Sequence, residues 1–99
     1  MRTRHQVGND DLVALRTTGI GSATMHALVQ YIEEGRPTGD FLRAVLSNQL
    51  AESFARADDE NERAIPALVR WLYNRAPGPC WGSPGAYAHW VRKGTEDTW

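Results

Sequence analysis

One cysteine, one lysine and no long apolar run set the first limits on this 99-residue chain. The lone Cys80 rules out an internal disulfide, which suits a reducing compartment. No stretch of about 18 apolar residues occurs, and no charged-then-apolar leader opens the sequence. We therefore expect a soluble cytoplasmic protein with no membrane span. A formal net charge of −1 and the lack of a basic block argue against coating DNA or RNA, because that affinity comes from neutralising phosphates. No run alternates with period two for long enough to make a strand, so the expected class is all-α.

The motifs of common chemistries are missing too. There is no GxGxxG, P-loop or HExxH string. Cys80, His5, His26 and His89 have no metal-ligand spacing, and nothing places a base beside Cys80. The acidic run Asp58-Asp59-Glu60-Asn61-Glu62 lacks the spacing of a calcium loop and reads as a helix start. Gly19-Ile-Gly21 reads as a hinge. Two helices between Met25 and Phe54 resemble a helix-turn-helix in outline, but the second carries Leu and Val where a DNA-reading helix needs polar groups. No catalytic residue, cofactor or metal is expected.

What the chain does have is apolar content, 41%, with four Trp, three Tyr and two Phe, enough for one globular domain over 1–99. The ends, 1–8 and 94–99, lack periodicity and are expected to be loose. Asn9 or Asp10 can cap a short first turn. Ser22 can cap a helix with Met25, Leu28, Val29 and Ile32 at i, i+3, i+4, i+7, ending at Gly35. After Arg36-Pro-Thr-Gly39, with Thr38 or Asp40 as cap, a central helix is expected over 40–56. A third follows Asp58 with Ile65, Leu68, Val69 and Leu72 inward, and Pro66 must kink it or delay its start. Ala76-Pro-Gly-Pro-Cys-Trp-Gly82 is irregular. Ser83-Pro84 opens a short last helix with Tyr87, Trp90 and Val91 inward and Gly94 as its stop. The plan is a small bundle of three main helices plus a short C-terminal one, with a Pro/Gly/Trp loop.

The central helix is the unusual part. Apolar side chains surround its whole circumference, with no side made entirely for water. Phe41, Leu42, Val45 and Leu46 fill one arc, and Gln49, Glu52, Ser53 and Arg56 continue that arc in the later turns. Leu50 and Phe54 share a second arc with Arg43 and Ser47, while Ala44, Ala51 and Ala55 line a third that suits close helix contact. A helix buried on all sides in so small a domain points to a second subunit, a ligand, or both. Ser47 and Asn48 are short polar residues in mid-helix, where they compete with the backbone, so a partner is expected for them. Glu52 and Arg56 are spaced to pair. Trp81, on its Pro/Gly loop, is either a stacking platform or a plug for the core. The basic residues are ten Arg and the single Lys93, which fits a G+C-rich genome and also supplies planar forks for phosphate or carboxylate.

The strings Gly39-Asp-Phe-Leu-Arg-Ala-Val-Leu-Ser-Asn-Gln-Leu50, Arg56-Ala-Asp-Asp-Glu-Asn61, Trp71-Leu-Tyr-Asn74 and Cys80-Trp-Gly-Ser-Pro84 resemble small proteins of tailed bacteriophages and prophages. The resemblance implies a setting, a phage accessory protein in a bacterial host cytoplasm, and assigns no role to any residue. In that setting the expectation is a non-enzymatic homo-oligomer that sequesters a small host molecule, such as a cyclic nucleotide or an ADP-ribose-type immune signal. The residues expected to hold it are Arg43, Ser47, Asn48, Glu52, Arg56 and Trp81. The alternative is a module that binds and inhibits or redirects a host protein.

Overall fold

The computed structural model describes residues 6–96. His5, the residues 1–5 and the residues 97–99 lie outside them, so most of both expected loose ends is not described. At Val7 the chain is already held: the side chain is buried and the amide donates to Glu33 Oε2 at 2.9 Å.

The described residues form six α-helices and no strand: α1 (Asn9–Arg16), α2 (Ser22–Glu34), α3 (Asp40–Leu46), α4 (Leu50–Arg56), α5 (Asp59–Arg75) and α6 (Pro84–Glu96). None is long and apolar enough to cross a membrane. Where a cap signal is chemically local, the helix begins or ends on it. Asp58 accepts the Asn61 amide at 2.8 Å, Ser83 Oγ accepts the Ala86 amide at 3.0 Å, and Gly35 closes α2 in the left-handed conformation at φ 72°. Three expected caps are displaced. Gly8, Gly21 and Gly39 occupy the N-cap positions of α1, α2 and α3, so Asn9, Ser22 and Asp40 are first helical residues with no capping bond. Glycine serves there at a loss of only a few tenths of a kcal/mol. The C-terminal helix also runs through Gly94 to Glu96, a glycine inside a helix costing only about 1 kcal/mol. Pro66 lies within α5 and does not delay its start at Asp59.

The principal correction concerns the central helix, which is two helices. α3 stops at Leu46 and α4 restarts at Leu50. Asn48 stands in the left-handed region at φ 62°, the only described non-glycine residue with positive φ. Its amide donates to Val45 O at 3.0 Å and the next amide, of Gln49, reaches back to Ala44 O at 2.9 Å. Those two bonds are the paired C-terminal closure of a Schellman motif, with asparagine in the place glycine usually holds. Leu46 O, which a continuous helix would give to the Leu50 amide, instead accepts the Gly82 amide at 2.8 Å. The chain therefore doubles back. In one straight rod Asp40 and Arg56 would lie about 24 Å apart at 1.5 Å per residue; here their side chains approach to 3.8 Å.

The doubling back also decides which side of each half is wet. Phe41, Leu42, Ala44, Val45 and Leu46 are all buried, whereas in α4 only Ser53 is. Leu50 is 67% and Phe54 43% exposed, and Ala51 and Ala55 face solvent. The expected helix without a solvent face is thus a buried half followed by an exposed half. The core is built from Leu15, Leu28, Tyr31, Ile32, Leu46, Leu68, Leu72 and Cys80, all with no residual exposure. Tyr31 ties several elements together. Its hydroxyl donates to Cys80 O at 2.7 Å and its carbonyl accepts Trp90 Nε1 at 2.8 Å. Its ring stacks on Tyr87 at 5.2 Å and 11°. The segment expected to be irregular contains one 3-10 turn, Gly78–Cys80, and Gly82 beyond it sits at φ 115°. On the other side of the core, Trp71 Nε1 donates to Asp11 O at 3.0 Å, docking α5 on α1.

Candidate functional site

The elbow between α3 and α4 faces α6, and the three together enclose an open groove of about 730 Å³. α3 contributes Asp40, Arg43 and Ala44, with Ser47 at its end. Gln49 and α4 contribute the opposite wall through Leu50, Ala51, Glu52 and Arg56, and α6 supplies Pro84, Tyr87 and Ala88. The size falls in the range of small-molecule sites, roughly 300–1,000 Å³.

Tyr87 is buried and fixed on both sides. Its hydroxyl accepts the Thr38 amide at 2.9 Å and meets Thr38 Oγ1 at 3.1 Å, while its ring lies on Tyr31. Arg43 lies over that ring, with Cζ 5.7 Å from the centroid, so a guanidinium caps a stack of two tyrosines. Such a contact supplies about 0.5–1 kcal/mol at an exposed site. The guanidinium N–H groups make no hydrogen bond among the described residues and can meet an anion. Arg43 forms no ion pair among the described residues. Four residues further along the same helical face, Ser47 is 4% exposed, and its hydroxyl has no hydrogen-bond partner among the described residues.

Arg56 differs from Arg43. Its Nε donates to Glu52 Oε2 at 2.7 Å, and a terminal nitrogen lies 3.8 Å from Asp40. The hydrogen bond to Glu52, then the attraction of Glu52 and Asp40, raises its affinity for the proton beyond the ordinary guanidinium value. The groove thus holds two cations and two carboxylates, with one cation engaged and one open.

Of the six residues expected to bind a ligand, the groove assembles Arg43, Ser47, Glu52 and Arg56. Asn48 and Trp81 lie elsewhere. They line a smaller notch of about 140 Å³ with Val45, Ser53, Ile65 and Val69, and Gln49 and Leu50 border both spaces. Asn48 has its backbone role in the elbow, and Trp81 is half-buried against the core. Sequence reasoning passed over Asp40, considered only as a cap, and Tyr87, considered only as core. The pairing of α6 on α3 that brings Tyr87 under Arg43 leaves no periodic signal in either segment.

Among the described residues no three His, Cys, Asp or Glu side chains gather as a metal set. Cys80 is fully buried. In comparisons with known proteins, no family model, curated protein or solved structure matches the chain. The described residues define an all-helical protein with a sizeable recess that carries charged groups, and its role has to be argued from that recess.

Proposed function

We propose that the chain is a non-catalytic binding protein whose α3–α4–α6 groove holds a small anionic, nucleotide-derived molecule and sequesters it, as an accessory protein of a phage in its bacterial host. The resemblance of sequence strings supplies the setting. The observation that carries the binding role is Ser47, a buried hydroxyl with no partner among the described residues, opening onto the same groove as Arg43, which has no ion pair among them. A ligand in the groove would supply the hydrogen-bond partner that the described residues do not give this hydroxyl.

The test is a thermal-shift and calorimetric series with cyclic nucleotides and ADP-ribose derivatives, run on the native chain and on Arg43→Met. A ligand that raises the melting temperature of the first and not the second, and is recovered unchanged after denaturation, supports sequestration. A series in which nothing binds defeats it.

A specific observation also favours protein contact. Leu50 and Phe54 on α4 are large, apolar and exposed, and Val69 and Tyr73 on α5 are 36% and 80% exposed. We propose that this side carries the contact between copies in a homo-oligomer, or with a host protein. Exposed apolar groups of this size mark interfaces when they are contiguous, and Leu50 and Val69 line one notch.

A further inference from the structure

Resting on the groove as a binding site, we propose that its ligand is a singly phosphorylated sugar, free or as a nucleoside monophosphate, rather than a polyphosphate. The phosphate seats on Arg43 and Ser47, and the sugar hydroxyls donate to Asp40 and Glu52.

The assignment follows from how the charges are already spent. Arg56 is held by Glu52 at 2.7 Å and attracted by Asp40 at 3.8 Å, so of the two groove guanidiniums Arg43 is the one that offers all its N–H edges to an anion. The Tyr87 ring beneath Arg43 is held by Thr38 and Tyr31. Ser47 lies one turn further along α3 and adds a hydroxyl donor beside them. One compact anion is what this end of the groove can satisfy, through charge-assisted bonds to the Arg43 guanidinium. The other end is acidic. Asp40 and Glu52 each engage Arg56 through one carboxylate oxygen, and their side chains are 75% and 48% exposed. Carboxylates with an oxygen to spare accept hydrogen bonds from vicinal hydroxyls and repel a second or third phosphate. With two guanidiniums against two carboxylates the groove has no net charge to attract a polyanion, which also disfavours a nucleic-acid strand.

The experiment is isothermal titration of the full chain with AMP, ribose 5-phosphate, adenosine, 2′-deoxy-AMP and ATP, alongside a cyclic dinucleotide and ADP-ribose. AMP or ribose 5-phosphate is expected to bind at least about tenfold more tightly than adenosine, and at least about tenfold more tightly than ATP. Removing the 2′-hydroxyl should weaken AMP several-fold. Arg43→Met, at an exposed position and checked for an unchanged melting temperature, should erase the preference for AMP over adenosine. Asp40→Asn with Glu52→Gln should narrow the gap between AMP and ATP. ATP or ADP-ribose binding as tightly as AMP, or Arg43→Met retaining full AMP affinity, overturns the single-phosphate assignment while leaving the groove a binding site. If none of these ligands binds, the groove reading itself fails.

Discussion

Replacing Asn48 tests whether the elbow between α3 and α4 is set by backbone geometry and tertiary bonds or by local propensity. The two alternatives predict opposite signs. Asn48 is exposed, so its side chain contributes little packing, and its φ of 62° is the quantity at stake. Left-handed backbone costs an L-residue with a Cβ roughly 1–2 kcal/mol, less for Asn because its amide bonds locally. Alanine has no such compensation and should lose about 1 kcal/mol, valine about 2 kcal/mol. Glycine relieves the strain but gains entropy when unfolded, so it should fall within about 0.5 kcal/mol of the native residue. For a chain of 99 residues, about 1 kcal/mol moves the melting temperature by roughly 4–8 °C. Stability should therefore follow the order Gly and Asn, then Ala, then Val.

Propensity alone predicts the opposite sign for alanine. Alanine is the best helix former and asparagine a poor one, so Asn48→Ala should join the two helices and raise both stability and helical signal. The native structure opposes that merger at a particular atom: Leu46 O is committed to the Gly82 amide at 2.8 Å and is not open to Leu50. Urea denaturation followed by circular dichroism at 222 nm reads both quantities on one sample. If Asn48→Ala gains helical signal and its midpoint rises, the elbow is set by local propensity, and neither the left-handed residue nor the Leu46–Gly82 bond holds it. An unchanged slope with a lower midpoint would confine the effect to stability, as strain at a single backbone position requires.

Three further outcomes follow from the same bonds. Gly82→Ala should cost about 1–3 kcal/mol by backbone strain alone, since φ there is 115° and no atom lies within 4 Å of the added carbon; a melt at the native midpoint would contradict it. Tyr31→Phe removes the buried 2.7 Å bond to Cys80 O while keeping the ring stack, and should lower stability in urea by about 1 kcal/mol. Leu50→Ser with Phe54→Ser changes groups on the exposed side of α4, so stability should stay within roughly 0.5 kcal/mol per site while light scattering at micromolar concentration drops from an oligomer mass to a monomer mass; a monomer mass before substitution would remove the oligomer.

How much of the fold and the groove was legible in the sequence depends on the range of the deciding interaction. Gly35, Asp58 and Ser83-Pro84 were readable because a cap bonds its own backbone within three or four residues. The Glu52–Arg56 pair and the shared face of Arg43 and Ser47 were readable for the same reason, being one helical turn apart. The elbow was half legible. Ser47 and Asn48 are poor mid-helix residues, but the periodicity of 40–46 runs on into 50–56 and hides the alternative that asparagine closes a helix in the left-handed conformation. Nothing local reports that Gly82, more than thirty residues on in sequence, takes the carbonyl of Leu46. Once the chain turns there, a helical wheel drawn through 40–56 no longer describes the residues after Ser47, and Leu50 and Phe54 emerge in solvent. Yet the misread turn and the site have one cause. A straight helix would set Asp40 and Arg43 at one end of a rod and Glu52 and Arg56 at the other, about 24 Å from Asp40 to Arg56, too far apart to share a small ligand. Folding back at Asn48 brings those four residues around one recess, with Ser47 at its bend and the Arg43–Tyr87 stack along one wall. The groove is therefore a product of the break, and any variant that straightens α3 into α4 should lose the site together with the turn.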